Sequence, residues 1–489
     1  MSENVEIKFR KPSPTPPAWL LKLMLKMGAK LPTPQLPPLP ENWNELRGDE
    51  KYNFFKKTLL STEDKEFESA EVAETYHRRV KRWFDVVEVK EPDQVPNTMI
   101  MEGYIAKYSG LTQADFFYRS DKIAKAAVKF QEDFKPEFAT MTLTYPGEVF
   151  DLIGMKMMRW PGGDREDALA DDIPWQYAEG EYMPAADYDQ LIANPEAYML
   201  RKWYPQVFGN LDGLEKFPNL FTPIEPATVS LFLLPFAGGP VREALEILIK
   251  SAEKTVEAVL PGVLASRKIQ MKWGAPSVYG AITFAPFDML GDTMRGTKGI
   301  MLDIYRNPDK LLAACDAIVP SSIKFAVDAA TARRKPFVLM PLHKGADGFM
   351  SEAQFAKFYW PSFKKQMEGL IDAGLIPVPF AEGSYNNRLD ILADWDIPKG
   401  KVVWGFDQTD MKKAKEKLGS KFCISGNVPA SLFATGTPEE MDAYCKNLIE
   451  TCAPGGGYYL APGALVDVTT PEMLHTFFNS TRKYGVYNK

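Results

Sequence analysis

Cysteine and histidine are both scarce in this sequence, which has four cysteines and three histidines among 489 residues. Four cysteines in so long a chain do not make a disulfide framework, and no two of them form a CxxC pair, so we expect a reducing, cytoplasmic compartment. No apolar run approaches the ~20 residues that span a bilayer. The first residues, MSENVEIKFRKPSP, lack the apolar core of a signal peptide, so we expect none.

An excess of positive charge is also missing, because the formal net charge is −6. A protein that binds a duplex needs a basic face, so nucleic acid is not expected as a partner. The motifs GxGxxG, GxxxxGK(S/T), HExxH and GxSxG are absent, which leaves no positive argument for a nucleotide enzyme, a zincin or a serine hydrolase. What remains is a globular composition, 45% hydrophobic and 25% charged.

Residues 1–95 are predicted to form an N-terminal arm followed by helices. Residues 11–40 are rich in proline and enclose Trp19–Met27, a short apolar stretch with lysines that predicts a helix. This helix could lie on a membrane surface, or the arm could dock on its own barrel or on a partner subunit. We favour docking. Residues 49–88 are predicted to be helical, and their basic cluster around His77–Arg82 is either an anion site or a solvated helix face.

From residue 97 onward, short apolar runs alternate with amphipathic helical segments, which predicts a parallel sheet. Eight such runs are present, the number that a closed barrel needs. We therefore predict an α/β protein with a single (β/α)8 TIM barrel over residues 96–489, in which an insertion at about 146–275 covers the barrel mouth. The predicted strands are 98–102, 138–145, 277–284, 337–343, 377–382, 401–406, 421–425 and 457–462.

Polar residues at the carboxyl ends of the strands are the candidates for chemistry, because barrel enzymes place their active sites there. His343, Glu382 and Asp407 are the candidate catalytic residues, since a histidine titrates near neutrality and a carboxylate at the end of an apolar strand is costly without a purpose. The alternatives are a histidine bonded to a loop carbonyl and, at Asn427, a side chain that fixes a turn. Candidate substrate-binding residues are Glu102, Tyr145, Lys344, Asp347, Gln408, Asn427 and Asp467. Cys423 lies inside a strand and is expected to be a buried, inert thiol.

Several motifs at these positions resemble the uroporphyrinogen decarboxylase superfamily, which also contains methylcobamide:thiol methyltransferases and corrinoid-linked demethylases. They are His343–Ser351, Phe380–Gly383, Ser425–Pro429 followed by Gly436–Glu440, Pro286–Gly296 and Ala461–Gly463. The resemblance covers about residues 70–489 and implies the barrel fold, a homodimer and an enzyme.

Two departures from this pattern bear on the reaction. The superfamily's methyltransferases hold zinc at positions that are Phe380, Glu382 and Ala464 here, and two of these three residues cannot bind a metal. The decarboxylases carry an arginine-rich N-terminal motif and a histidine after the last strand, and neither is present. The resemblance therefore implies neither a true uroporphyrinogen decarboxylase nor a standard thiol methyltransferase.

Three hypotheses follow from the residues and the resemblance. The first is a methyltransferase that moves a methyl group between a small methylated substrate and a corrinoid (cobalamin) or pterin (tetrahydrofolate) carrier. Glu382, His343 and Asp407 would then act as acid/base groups, or Glu382 and His343 would hold a metal such as zinc. The second is a lyase or decarboxylase in which Lys344, Lys272 or Arg388 binds the carboxylates of an acidic substrate. The third is a non-catalytic subunit that binds a corrinoid protein.

Overall fold

A computed structural model describes residues 7–13, 36–142, 145–219, 226 and 228–487 of the chain. The Trp19–Met27 segment lies outside the described residues. Within them, each of the eight predicted strands has a counterpart, and a short antiparallel pair is added in the predicted insertion. The strands are β1 (Ile100–Met101), β2 (Met141–Thr142), β3 (Met158–Arg159), β4 (Gln176–Tyr177), β5 (Tyr279–Ile282), β6 (Phe337–Leu342), β7 (Ile376–Ala381), β8 (Val403–Phe406), β9 (Cys423–Ser425) and β10 (Tyr458–Tyr459).

Six of the strands form one parallel sheet in the order β10-β9-β8-β7-β6-β5, and β1 pairs with β2 in a second parallel sheet. Hydrogen bonds link the small sheet to both edges of the large one. The amide of Thr98 donates to the carbonyl of Leu460 across 3.0 Å, and the amide of Ala139 donates to the carbonyl of Pro276 across 3.0 Å. The predicted α/β class and the parallel strand arrangement are confirmed.

The side chains of the large sheet alternate between two apolar clusters, as the period of a β-strand requires. Phe337 and Leu339 of β6 pack with the N-terminal helices, whereas Val338 and Met340 pack with the helices that follow the strands. Trp83, fully buried in one of those N-terminal helices, contacts the ring of Phe337. The carboxyl ends of the strands lie at the opposite edge, where the loops begin.

The segment 49–88, predicted to be helical throughout, is two helices, because Ser69 caps a second helix by accepting a hydrogen bond from the amide of Val72. Arg82 in the basic cluster is buried and pairs with Asp93 and Glu137. The helices up to β2 are α1 (Gly48–Leu60), α2 (Ala70–Val87), α3 (Tyr104–Tyr108), α4 (Gln113–Tyr118) and α5 (Ser120–Phe134), after a 3₁₀ turn at Trp43–Glu45.

The region predicted as an insertion, 146–275, is mainly helical, and its segment around Trp175 and Tyr177 returns to the strand ends. The α-helices are α6 (Gly147–Ile153), α7 (Tyr188–Ala193), α8 (Pro195–Tyr198), α9 (Tyr204–Val207), α10 (Val229–Leu233) and α11 (Gly239–Trp273). A short π-helix spans Met199–Trp203, and 3₁₀ helices span Ala185–Asp187, Gly209–Lys216 and Leu234–Phe236.

Three of the later helices begin at residues that the sequence marks as caps. Ser351 accepts a hydrogen bond from the amide of Gln354, Thr437 from that of Glu440 and Thr470 from that of Met473. The helices are α12 (Pro286–Thr293), α13 (Gly296–Arg306), α14 (Pro308–Arg333), α15 (Glu352–Gln354), α16 (Trp360–Asp372), α17 (Leu389–Ala393), α18 (Met411–Leu418), α19 (Ala430–Thr435), α20 (Pro438–Cys452) and α21 (Pro471–Tyr484). A short π-helix at Phe355–Tyr359 joins α15 to α16, and a 3₁₀ helix at Asn386–Arg388 precedes α17. No helix in the described ranges is both long and apolar enough to cross a membrane.

Candidate functional site

The carboxyl end of β6 is fixed by Asp288, a fully buried residue in the first turn of α12. One oxygen of its carboxylate accepts the amide of His343 across 3.1 Å, and the other accepts the amide of Lys344 across 2.9 Å. The hydroxyl of Tyr359 also donates to Asp288 across 2.6 Å. Burial, followed by the charge of Asp292, raises the pKa of Asp288 to about 6. Asp288 therefore holds the backbone at the point where the candidate histidine leaves the strand.

Asp292 lies one helical turn after Asp288 and faces the same strand end, as i and i+4 residues do. Its carboxylate lies 2.6 Å from Nδ1 of His343 and 2.7 Å from the ammonium nitrogen of Lys344. Burial would lower the pKa of His343, but the hydrogen bond and charge of Asp292, together with Asp288 and Glu382, raise it to about 9. His343 is consequently a protonated imidazolium at neutral pH.

Glu382 follows β7, the neighbouring strand, and Oε1 of its carboxylate lies 3.8 Å from Nε2 of His343. Burial raises the pKa of Glu382, and the charges of Asp407 and Asp292 act in the same direction against that of His343. Asp407 follows β8 and accepts a hydrogen bond from the amide of Gly383 across 2.9 Å. The three candidate catalytic residues thus stand at the ends of three adjacent strands, with His343 and Glu382 facing each other.

A second group of candidates surrounds Glu102, at the end of β1. The hydroxyl of Tyr145 donates to one carboxylate oxygen across 2.8 Å, and the indole nitrogen of Trp175 donates to the other across 3.1 Å. Burial raises the pKa of Glu102, and the nearby charge of Asp467 raises it further. Burial also raises the pKa of Asp467. Glu102, Tyr145 and Asp467 are therefore neighbours. Trp175, which the sequence did not indicate, belongs to the same group.

The remaining candidates hold the loops in place. Asp347 accepts hydrogen bonds from the Ser384 hydroxyl and the Asn387 amide. The side-chain amide of Asn427 donates to two carbonyls of the loop after β8, those of Asp407 and Thr409, each across 2.8 Å. This is the turn-fixing role that was the alternative for Asn427.

Gln408 binds Gly383 through its backbone amide across 3.1 Å and hydrogen-bonds Asp407 through its side chain. Two of the three cations proposed for an acidic substrate, Arg388 and Lys272, are engaged elsewhere. Arg388 is buried and donates to the carbonyl of Gly345 across 3.2 Å, and Lys272 pairs with Glu132 across 3.2 Å.

A large cavity opens beside His343, with a volume of about 1090 Å³. Trp175, Asp292, His343 and Lys344 line one end of it, and the length of β5 and one face of α14 line the rest. Asp292, Trp175 and the cavity were not predicted from the sequence. Asp288 and Asp292 both lie in Pro286–Gly296, which was used only for the family resemblance. Two carboxylates at i and i+4 after a helix-starting proline were the signal that could have identified them.

Comparisons with known proteins identify the family of the chain. Residues 240–484, about half of the chain, match the sequence profile described as Uroporphyrinogen decarboxylase (URO-D). The chain belongs to this family. A curated uroporphyrinogen decarboxylase from Salinispora tropica is 24% identical over 282 residues, which cover 54% of this chain and 71% of that protein. A solved methyltransferase from Methanosarcina mazei has a TM-score of 0.52 and 16% identity, covering 84% of this chain and 98% of the other. That structural likeness shows a shared fold.

The family resemblance implies a possible zinc ion, and the side chains at the site show whether enough ligands are present to bind it. His343 Nε2 and the carboxylate of Glu382 are two donors, whereas catalytic zinc sites use three protein ligands. In the part of the chain that the structure describes, no three His, Cys, Asp or Glu residues are grouped to hold a metal ion. Phe380 and Ala464 both line a small apolar cavity whose other walls are residues in and next to the parallel strands. These residues therefore do not fit the zinc centre expected for the uroporphyrinogen decarboxylase-like methyltransferases.

Proposed function

We propose that this member of the uroporphyrinogen decarboxylase family is a methyltransferase, which moves a methyl group between a methylated substrate and a corrinoid or pterin carrier. The observation that carries the proposal is the pairing of His343 with Asp292, which keeps the imidazolium protonated at neutral pH. A leaving oxygen, nitrogen or sulfur atom needs a proton when its bond to the methyl carbon breaks. A positioned acid supplies that proton and accelerates such steps by about 10²–10⁴-fold.

The geometry leaves the acidic proton available to a substrate. Nε2 of His343 is 3.8 Å from Glu382, which is too long for a hydrogen bond. In the proposed step, the bond between the methyl carbon and the substrate heteroatom breaks. The methyl carbon bonds to the carrier's nucleophile, and the heteroatom takes the proton from His343. The carboxylate of Glu382 stabilises the imidazolium beforehand and accepts a hydrogen bond from the substrate, and Asp407 holds the loop that carries Glu382.

The charge of the site favours methyl transfer over decarboxylation of an acidic substrate. Three carboxyl groups, those of Asp288, Asp292 and Glu382, act on His343, and a fourth, that of Asp407, acts on Glu382, whereas the site has two cations, His343 and Lys344. Because Lys344 already pairs with Asp292, it has little charge to offer a substrate carboxylate. A polycarboxylate would meet repulsion here, whereas a neutral or cationic methylated compound would not.

The proposal includes the barrel itself. The hydrogen bonds from Thr98 to Leu460 and from Ala139 to Pro276 connect the β1–β2 pair to both edges of the six-stranded sheet. They support a closed (β/α)8 barrel of eight strands, in which His343, Glu382 and Asp407 stand on the rim where such enzymes bind substrates. The segment around Trp175 then covers part of the mouth, because its indole reaches Glu102 at the end of β1.

The test is an assay of methyl transfer with the purified protein. Methylated amines, thiols and ethers are offered together with reduced cobalamin or tetrahydrofolate, and cobalamin absorbance or methylated product is followed. Wild type should transfer a methyl group from one class, and H343Q should lose at least about 10²-fold of that rate. H475Q is the matched control, since His475 packs against Phe134 away from this site and should behave as wild type.

Two other results would select the alternatives. Release of CO₂ from an acidic substrate without methyl transfer would establish the decarboxylase. A protein that transfers nothing, but binds a corrinoid protein equally well as wild type and as the H343Q/E382Q double variant, would be the non-catalytic subunit. Neither result is compatible with His343 as the acid of a methyltransferase.

A further inference from the structure

The cavity beside His343 is elongated. It follows β5 and the next residues from Tyr279 to Phe284, five steps that span about 16 Å at ~3.3 Å per residue. Along α14 it runs from Ile318 to Arg333, about 22 Å at ~1.5 Å per residue. Its volume of about 1090 Å³ is at the upper limit of the ~300–1,000 Å³ typical of sites for drug-sized ligands. A substrate of only a few atoms would leave most of this space empty.

The walls between the two ends are predominantly apolar. Three of the lining residues are methionines, whose flexible side chains adapt to irregular apolar ligands. Phe325 lines the cavity, and 64% of its surface is exposed. The apolar lining residues include Leu191, Met199, Ile282, Phe284, Ile318 and Ala329.

Two hydroxyl groups along the cavity are already satisfied by the protein. Ser322 donates to the carbonyl of Val319 across 2.8 Å, and Thr293 donates to the carbonyl of Met289 across 2.8 Å. They therefore offer a ligand little hydrogen bonding. Charged groups stand mainly at the ends, with His343, Lys344, Asp292 and Glu179 at one end and Arg333 at the other. Glu196 also lines the cavity, where its carboxylate accepts a hydrogen bond from the hydroxyl of Ser321 across 3.3 Å.

We infer that this cavity binds the body of the substrate, an elongated and largely apolar molecule whose methylated polar end reaches His343. The identity of the reacting end of the substrate rests on the proposed function. The apolar character of the rest of the molecule is inferred from the apolar walls of the cavity. Burial of apolar surface is favourable in proportion to the area removed from water, so most of the affinity comes from the cavity and the chemistry from His343.

Binding is tested separately from turnover with N-phenyl-1-naphthylamine, a neutral apolar dye in which one amine nitrogen joins a naphthalene to a phenyl ring and which fluoresces strongly out of water. The full-length protein should bind it saturably, and the A329W variant should bind it at least ten-fold more weakly because the indole fills the channel. The matched control is A313W on the same helix, since Ala313 is exposed and does not line the cavity. Thermal melts of both variants confirm that each is folded.

The H343Q variant separates this inference from the proposed function. It should bind the dye as wild type does while methyl transfer is lost, so a failure of the chemistry leaves the binding result unaffected. Equal dye binding by wild type and a folded A329W variant would overturn the inference. Dye that binds only after deletion of residues 14–35 would also overturn it, because that segment would then be the occupant of the channel.

Discussion

The carboxylate of Asp292 lies 2.6 Å from Nδ1 of His343. The hydrogen bond orients the ring so that Nε2 faces Glu382, and it stabilises the protonated form. The same carboxylate binds the ammonium group of Lys344. Asp292 is therefore a positioning residue, which acts on a substrate through His343.

Removal of the Asp292 charge should shift the pH profile of the enzyme. In D292N the pKa of His343 falls from about 9 towards the ordinary value of 6.5. Burial still disfavours the charged imidazolium, and the carboxylate that mainly stabilised it has become a neutral amide. A reaction that needs the imidazolium is then lost at a lower pH, so the alkaline limb of the rate profile moves to lower pH. Histidine NMR titration measures the pKa directly.

The matched control for this prediction is D316N, which removes an exposed carboxylate paired with Lys365. Its rate profile should be that of wild type. An alkaline limb that stays in place in D292N, with the His343 pKa unchanged, would show that Asp292 does not set the protonation of this histidine.

Glu382 should be needed for turnover and dispensable for folding. E382Q keeps the shape and removes the charge that faces Nε2 of His343. Because that charge contributes to the protonation of the acid and to substrate binding, turnover should fall by about 10²-fold or more, with little change in the thermal melt. E450Q, at an exposed carboxylate on α20, is the control. Full activity of E382Q would contradict the assigned role.

The strands were predictable from the sequence because each is a short apolar run bounded by turn residues, and Ser351, Thr437 and Thr470 marked helix starts by local capping patterns. The site was only half predictable. His343, Glu382 and Asp407 follow directly after strands, so their common edge could be inferred. Asp292 lies within a helix, and Trp175 reaches Glu102 from 73 residues away along the chain. The spacing of Asp292 from Asp288 was the only local signal for the first of these residues, and the contact of Trp175 depends on tertiary packing, which no local pattern encodes.

Cys423 should be structural. Its thiol is fully buried in β9, packs in the cluster that includes Phe337 and Val403, and has its pKa raised by burial. A neutral thiol in this place acts as a small hydrophobic group. C423S should therefore keep activity within a few-fold and lower the melting temperature modestly. A large loss of activity, or loss of a bound metal, in a folded C423S protein would show that the thiol has a chemical role.

A homodimer is expected in solution, and α11 offers a surface for it. Ile249, Val256, Val259 and Val263 are exposed at spacings of seven, three and four residues, which places them in one stripe on the helix. An exposed stripe of this kind is stabilised when a second copy covers it, and most soluble oligomers are symmetric dimers.

Light scattering should give twice the mass of one chain for wild type and a monomer for V256E/V259E. V468E, at an exposed valine outside the stripe, is the control. Deletion of residues 14–35 tests the arm separately, because unchanged assembly would remove only the arm from the interface. A monomeric wild-type protein would contradict the dimer.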